Sequence, residues 1–230
     1  MVLPRRCFGC SVGATLGDMR AERLVFHGQI AGFGTGAGVR MVVGTWARSP
    51  FGAFTDVMVQ TPRERILLAP TSQIAEFVSS TYHFDRIVIG SVDAELAPHR
   101  LIVAAPELRV EVLLGGPAPL DRLLRLVPDW LGSAPWWLRV IDPVAGLLVR
   151  GVHTAGSAGN GRREYYGVHR SRLIEDVIGT FDGQDLAGLA PLDPPVGFGF
   201  SSAPPTPQIV SVTTTIDLPR TIDLPRPFPL

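Results

Sequence analysis

The chain has 230 residues, 46% of them hydrophobic and 18% charged, a globular composition for one or two domains. Its formal charge is zero and its pI about 7.0, which argues against broad electrostatic binding to nucleic acid or an anionic membrane. All 21 basic residues are arginine, so a lysine Schiff base, a Walker A lysine and a lysine general base are excluded.

At the N-terminus, Arg5, Arg6 and Phe8 begin a twin-arginine pattern, but the apolar stretch behind them is short and glycine-rich. Residues 1–18 are expected to be a disordered leader, with translation starting at Met1 or Met19 and the protein staying in the cytoplasm. Both cysteines, Cys7 and Cys10, fall in this leader, which leaves no cysteine nucleophile for the core and no four-cysteine zinc site.

From there the pattern predicts strands over 22–32, 39–46, 53–60 and 65–70, bounded by Gly, Pro and Ser. One helix follows at about 72–82, N-capped by Thr71 or Ser72, with Ile74, Ala75, Phe77, Val78 and Tyr82 on one face. Strands resume over 85–96, 99–105 and 107–115. Residues 117–150 interrupt them with two or three short amphipathic helices carrying Trp130, Trp136 and Trp137, a helical cap. After a loop at 151–161, strands 162–170 and 172–181 are expected to form a hairpin. Residues 182–207 are rich in Gly and Pro and read as irregular, and 208–216 is a last strand. TIDLPR occurs at 215–220 and again at 221–226, and the prolines of the tail, 218–230, deny it a ladder, so disorder is expected. Together these elements predict a mainly β single domain over 19–217, an antiparallel barrel-like or strongly curved sheet. No run of 18 apolar residues occurs, so no transmembrane helix is expected. The cap lacks a strongly basic face, which argues against peripheral membrane contact.

Candidate chemistry is sparse. GFGTGA at 32–37 fits a dinucleotide fingerprint, but a strand follows it where a helix is needed, so a hairpin loop is the better account. GSAGNG at 156–161 has the same flaw, although Arg162 and Arg163 beside it can hold an anion. Asp56 shares a strand face with Phe54 and Met58, and a carboxylate facing inward there must be paired, hydrogen-bonded or protonated. It is either the partner of an arginine such as Arg40 or a catalytic acid–base, with His27 assisting. The five histidines lack zinc spacing and no G-x-S-x-G elbow is present, so neither metal nor cofactor is expected.

The segments TWARSPFGAFTDVMVQTP, GNGRREYYG and PPVGFGFSSAPPTP resemble an uncharacterised protein family of high-GC bacteria over residues 20–216. The strand-rich layout is similar to lipocalin-like (calycin) barrels, a resemblance that implies a small apolar ligand. On that basis the expected function is binding of a small, largely apolar molecule, with Arg40, Trp46, Trp130, Trp137, Arg163 and Tyr165 around it. An enzyme on the same scaffold, of hydratase, isomerase or hydrolase type, is the alternative, using Asp56 with His27 or with Tyr165 and Tyr166. A third reading is an interaction protein that uses the tryptophan-rich cap as its contact surface.

Overall fold

The computed structural model describes residues 23–132, 134, 136–140, 155–157, 162–199 and 203–218. The expected leader, most of the loop at 151–161, the 141–150 part of the cap and the tail beyond Leu218 lie outside the described residues.

The elements are β1 (Arg23–Thr35), β2 (Arg40–Arg48), β3 (Phe54–Gln60), β4 (Arg65–Ala69), α1 (Ser72–Ser79), β5 (Arg86–Ile89), β6 (Asp93–Ala97), β7 (Arg100–Ala105) and β8 (Leu108–Pro117). Then come α2 (Asp121–Leu124), α3 (Asp129–Gly132), β9 (Ala155–Ser157), β10 (Arg163–Phe181), β11 (Gln184–Asp185), β12 (Leu189–Ala190) and β13 (Gln208–Asp217). Residues 136–140 add a further helical segment. The protein is mainly β, as its alternating pattern predicts. One sheet runs in the order β5-β4-β3-β2-β1-β13-β10-β8-β7-β6 and curls into a half-barrel.

Three local expectations change. The run 85–96 is two strands broken at Gly90, and they occupy opposite edges of the sheet. β5 pairs in parallel with β4, joined across α1, whereas the other pairs along the path are antiparallel. The expected hairpin over 162–181 is one strand of 19 residues. Its polar interruption, Arg170-Ser171-Arg172, is taken up by bulges instead of a turn. Ser171 Oγ donates to Gln208 Oε1 (2.6 Å), and the Arg172 guanidinium donates to the Gly115 and Pro98 carbonyls, so these polar groups are satisfied within the sheet. Finally, α1 ends at Ser79, three residues early. The Thr71 hydroxyl caps its start by accepting from Ile74 N. The Thr81 and Tyr82 N–H groups both turn back to the Val78 carbonyl (3.0 and 2.9 Å), which closes the last turn just beyond the helix.

Period-two alternation gives the middle strands two apolar faces. Odd positions on β1–β3, such as Phe33, Met41, Val43 and Val57, enter a core shared with Ile66, Leu68, Leu101, Val103 and Val112. That cluster joins residues from both ends of the strand order, so the curl closes on it. Across the gap between the edges, the Arg86 guanidinium donates to Glu107 (2.8 Å) and Glu64 (3.1 Å). All three side chains are about a third exposed, so solvent screening keeps this tie weak.

At Gly28 the register of β1 against β2 slips, and a Cβ there would drive into the Thr45 carbonyl oxygen and stand 2.9 Å from Trp46 Cα. Both obstacles are backbone and cannot yield easily. Gly28→Ala should therefore lower stability by about 1–3 kcal/mol, while Gly116→Ala, which meets nothing within 4 Å, should stay within about 0.5 kcal/mol of the parent. Urea melts of the two variants check this, and equal melts would refute the close approach at Gly28.

Candidate functional site

Even positions on β1–β3 face the reverse side of the sheet, and there the packing is incomplete. A cavity of about 810 Å³ lies between this face, α1, α2 and a proline-rich strap made by residues 191–199 and 203–206. The strap is fastened at several points. Arg40 Nη1 donates to the carbonyls of Pro194 (2.6 Å) and Pro195 (3.1 Å), Gly197 N donates to Gln60 Oε1 (2.6 Å), and His83 N donates to the Phe198 carbonyl (2.7 Å). Leu192, Val196 and Phe198 are buried beneath it with Val42.

Strand register places the lining in rows. Asp56, Gly44, Ile30, Val210 and Ser171 stand opposite one another across β3, β2, β1, β13 and β10. The next row is Phe54, Trp46, Gly28, Val212 and Val168, and the row beyond it contains Phe26, Thr214 and Tyr166. Most of these side chains are apolar, so the few polar ones are conspicuous.

Asp56 is one of them. It is 5% exposed, and Trp46 Nε1 donates to its Oδ1 at 2.9 Å. The indole reaches it over Gly44: a Cβ at residue 44 would stand 2.8 Å from both Asp56 Oδ1 and Trp46 Nε1. Removal from water pushes the Asp56 carboxyl up from 3.8 to about 7, against the smaller opposing pull of the indole and of its own amide.

A second polar group lies on β10 and just beyond α1. Glu164 Oε2 accepts from the Tyr166 hydroxyl (2.7 Å) and the Tyr82 hydroxyl (3.0 Å), and the two hydroxyls are 2.7 Å apart. Burial raises the Glu164 carboxyl, while the two phenols and the charge of Arg162 pull it back down. Burial, and then the Glu164 charge, hold both phenols well above the usual tyrosine range, so they remain protonated donors. Arg162 is itself buried and donates to Ser80 Oγ (2.6 Å) and Thr81 Oγ1 (2.9 Å), with its guanidinium over the Phe77 ring. The Thr214 hydroxyl, also on the lining, is buried without a hydrogen-bond partner.

Of the residues singled out from sequence, Asp56, Trp46 and Tyr166 line the cavity. Arg40 does not pair with Asp56, because its guanidinium is spent on the strap carbonyls. His27 falls on the opposite face, where its Nδ1 meets Thr213 Oγ1 at 3.2 Å. Burial, with Arg48 and His169 nearby, lowers the His27 pKa. Tyr165 points the same way as His27 and accepts from the Arg139 guanidinium. Arg163 is exposed at the start of β10. Trp130 is 74% exposed, and Trp137 packs edge-on against Trp136 outside the lining. From the cap it is Leu120, Leu123, Leu124 and Val127 that reach the cavity.

Glu164, Tyr82 and Thr214 were not singled out as candidates. Strict alternation through Arg162, Glu164 and Tyr166 was the available signal, since it puts Glu164 on one face with Tyr166. Among the described residues no group of three His, Cys, Asp or Glu is placed to hold a metal ion, and no helix is long and apolar enough to cross a membrane. A scan against protein-family models, a search of curated proteins and a search of solved structures return no match.

Because the folded protein holds the Asp56 proton more tightly than the unfolded chain does, the stability due to that proton is complete below about 3.8 and is lost as pH rises through about 7. Asn is neutral throughout and can still accept from Trp46. Asp56→Asn should match the parent near the acid end and exceed its stability by on the order of 4 kcal/mol above neutrality. Denaturant melts across this range test it, and a variant less stable than the parent at alkaline pH would refute it.

Proposed function

We propose that the protein binds a small, largely apolar molecule carrying a polar group, held in the cavity beneath the strap. The observation that carries this is the cavity itself, about 810 Å³ with a mostly apolar lining, inside the size range of small-molecule sites. A cavity of this kind gains by exchanging weakly held water for apolar surface. The unpartnered Thr214 hydroxyl and the Asp56 carboxyl supply what such sites add to an apolar wall, a few polar groups that fix orientation. The layout resemblance to lipocalin-like barrels points in the same direction.

Trp46, not the tryptophans of the cap, is the expected reporter, because it lines the cavity while Trp130 and Trp136 are exposed. Titration with N-phenylnaphthylamine should quench tryptophan emission in the parent. Trp46→Phe should keep the binding seen in probe fluorescence but lose most of the quench. Val210→Trp, which fills the cavity from β13, should weaken binding roughly tenfold or more, since an overfilled site costs about 1–3 kcal/mol. Unchanged binding by the Val210→Trp protein would refute the site.

A further inference from the structure

We propose that the cavity is a proton-transfer site for apolar carbonyl compounds, in which Asp56 takes a proton from the carbon beside the carbonyl while the phenols of Tyr82 and Tyr166 hold the carbonyl oxygen. This rests on the reading that an apolar molecule enters the cavity, and it adds the chemistry performed there.

Three features carry it. Asp56 lines the cavity with Oδ1 taken by the Trp46 indole, and its other oxygen has no side-chain partner among the described residues. Elsewhere on the lining, Tyr82, Tyr166 and Glu164 place three oxygens within 2.7–3.0 Å of one another, and the Tyr82 phenol is near enough to Asp56 to feel its charge. Both phenols donate to Glu164 Oε2, so either can turn its proton toward an incoming oxygen at the loss of that contact. Thirdly, the Thr214 hydroxyl, opposite Tyr166 in the β13–β10 pairing, is 4% exposed and unpartnered, a polar group that a bound oxygen would satisfy. A proton acceptor on β3 and a donor group on β10 thus line one mostly apolar cavity, where fixed dipoles act more strongly on developing charge than they do in water.

The electron bookkeeping is self-contained. The Asp56 carboxylate takes the proton from the α carbon, and the C–H pair becomes the carbon–carbon double bond of an enolate. The carbonyl π pair moves onto oxygen, where the phenols donate to it. For a β,γ-unsaturated ketone, Asp56 returns the proton to the γ carbon, the carbonyl re-forms, and the double bond ends in conjugation. No oxidant, reductant or co-reactant takes part. Burial, which raises the Asp56 carboxyl to about 7, leaves it able to both take and return a proton near neutral pH. Among the described residues, the ionisable groups around the cavity besides Asp56 are Tyr82, Glu164, Tyr166 and Arg162.

The test uses isopulegone, whose conversion to conjugated pulegone is followed by ultraviolet absorbance, and menthone, whose deuterium uptake from heavy water is followed by mass spectrometry. Equilibrium dialysis measures binding of each to the full chain. The expected result is acceleration by the parent, rising with pH through about 7. Asp56→Asn should retain binding and lose roughly a hundredfold or more in rate. Tyr82→Phe and Tyr166→Phe should each slow the reaction without moving the pH midpoint. Bound ketone with no acceleration in either assay overturns the proton-transfer inference and leaves the binding reading standing. Failure of both ketones to bind overturns the two together. A rate that survives in folded Asp56→Asn, or a pH midpoint that moves in Tyr82→Phe, also overturns it.

Discussion

Withholding water from the Asp56 carboxyl is the constraint around which the cavity is arranged. A carboxylate loses several kcal/mol of hydration on burial and recovers it only through charge or hydrogen bonds. Here the compensation is small, an indole N–H and its own amide. The shortfall is borne by the surrounding packing: the strap over one side, the aromatic cluster of Phe26, Trp46, Phe51 and Phe77 on another, and the vacancy at Gly44 that lets the indole lie flat enough to reach.

The contrast with the protein's other acids shows how strongly position decides. Asp85 stands at the surface against Arg65 and is drawn down to about 2 by hydrogen bonds from that side chain and its backbone. Asp56, the same residue type, stands near 7. Asp56 has no arginine beside it: Arg40, on the same face of the sheet, is committed to the strap, and Arg162 to Ser80 and Thr81. An uncompensated acid in an apolar cavity costs stability at neutral pH, and such costs are characteristic of sites kept for what they bind or do.

The fold class was legible because period-two alternation is a strong signal, and it also singled out Asp56 between Phe54 and Met58. Other features were hidden for specific physical reasons. The polar triplet Arg170-Ser171-Arg172 imitates a turn, since a bulge and a turn share the same residue chemistry. Tyr82 fits the helical face by spacing and its ring does pack against the helix's core, but spacing alone does not show that its hydroxyl reaches Glu164 on a distant strand. Glu164 sits beside two arginines and resembles a solvated charge until the face it shares with Tyr166 is counted. Arg40 and Gly44 depend on a strap 150 residues further along the chain and on an indole two residues away, and neither dependence leaves a local pattern.

One topological feature bears on how the chain acquires all this. β13 lies between β1 and β10, with ten register partners on each side, and it carries Val210, Val212 and Thr214 of the cavity floor. Among the described strands it is the last in sequence, so both of its neighbours in the sheet precede it in the chain. Until it inserts, β1 and β10 each present an open edge, and the apolar rows that will enclose Asp56 face solvent. The floor of the pocket thus rests on a strand far along the chain from β3, which carries Asp56. Pairing of β13 with both neighbours is therefore what completes the pocket and the burial of its acid together.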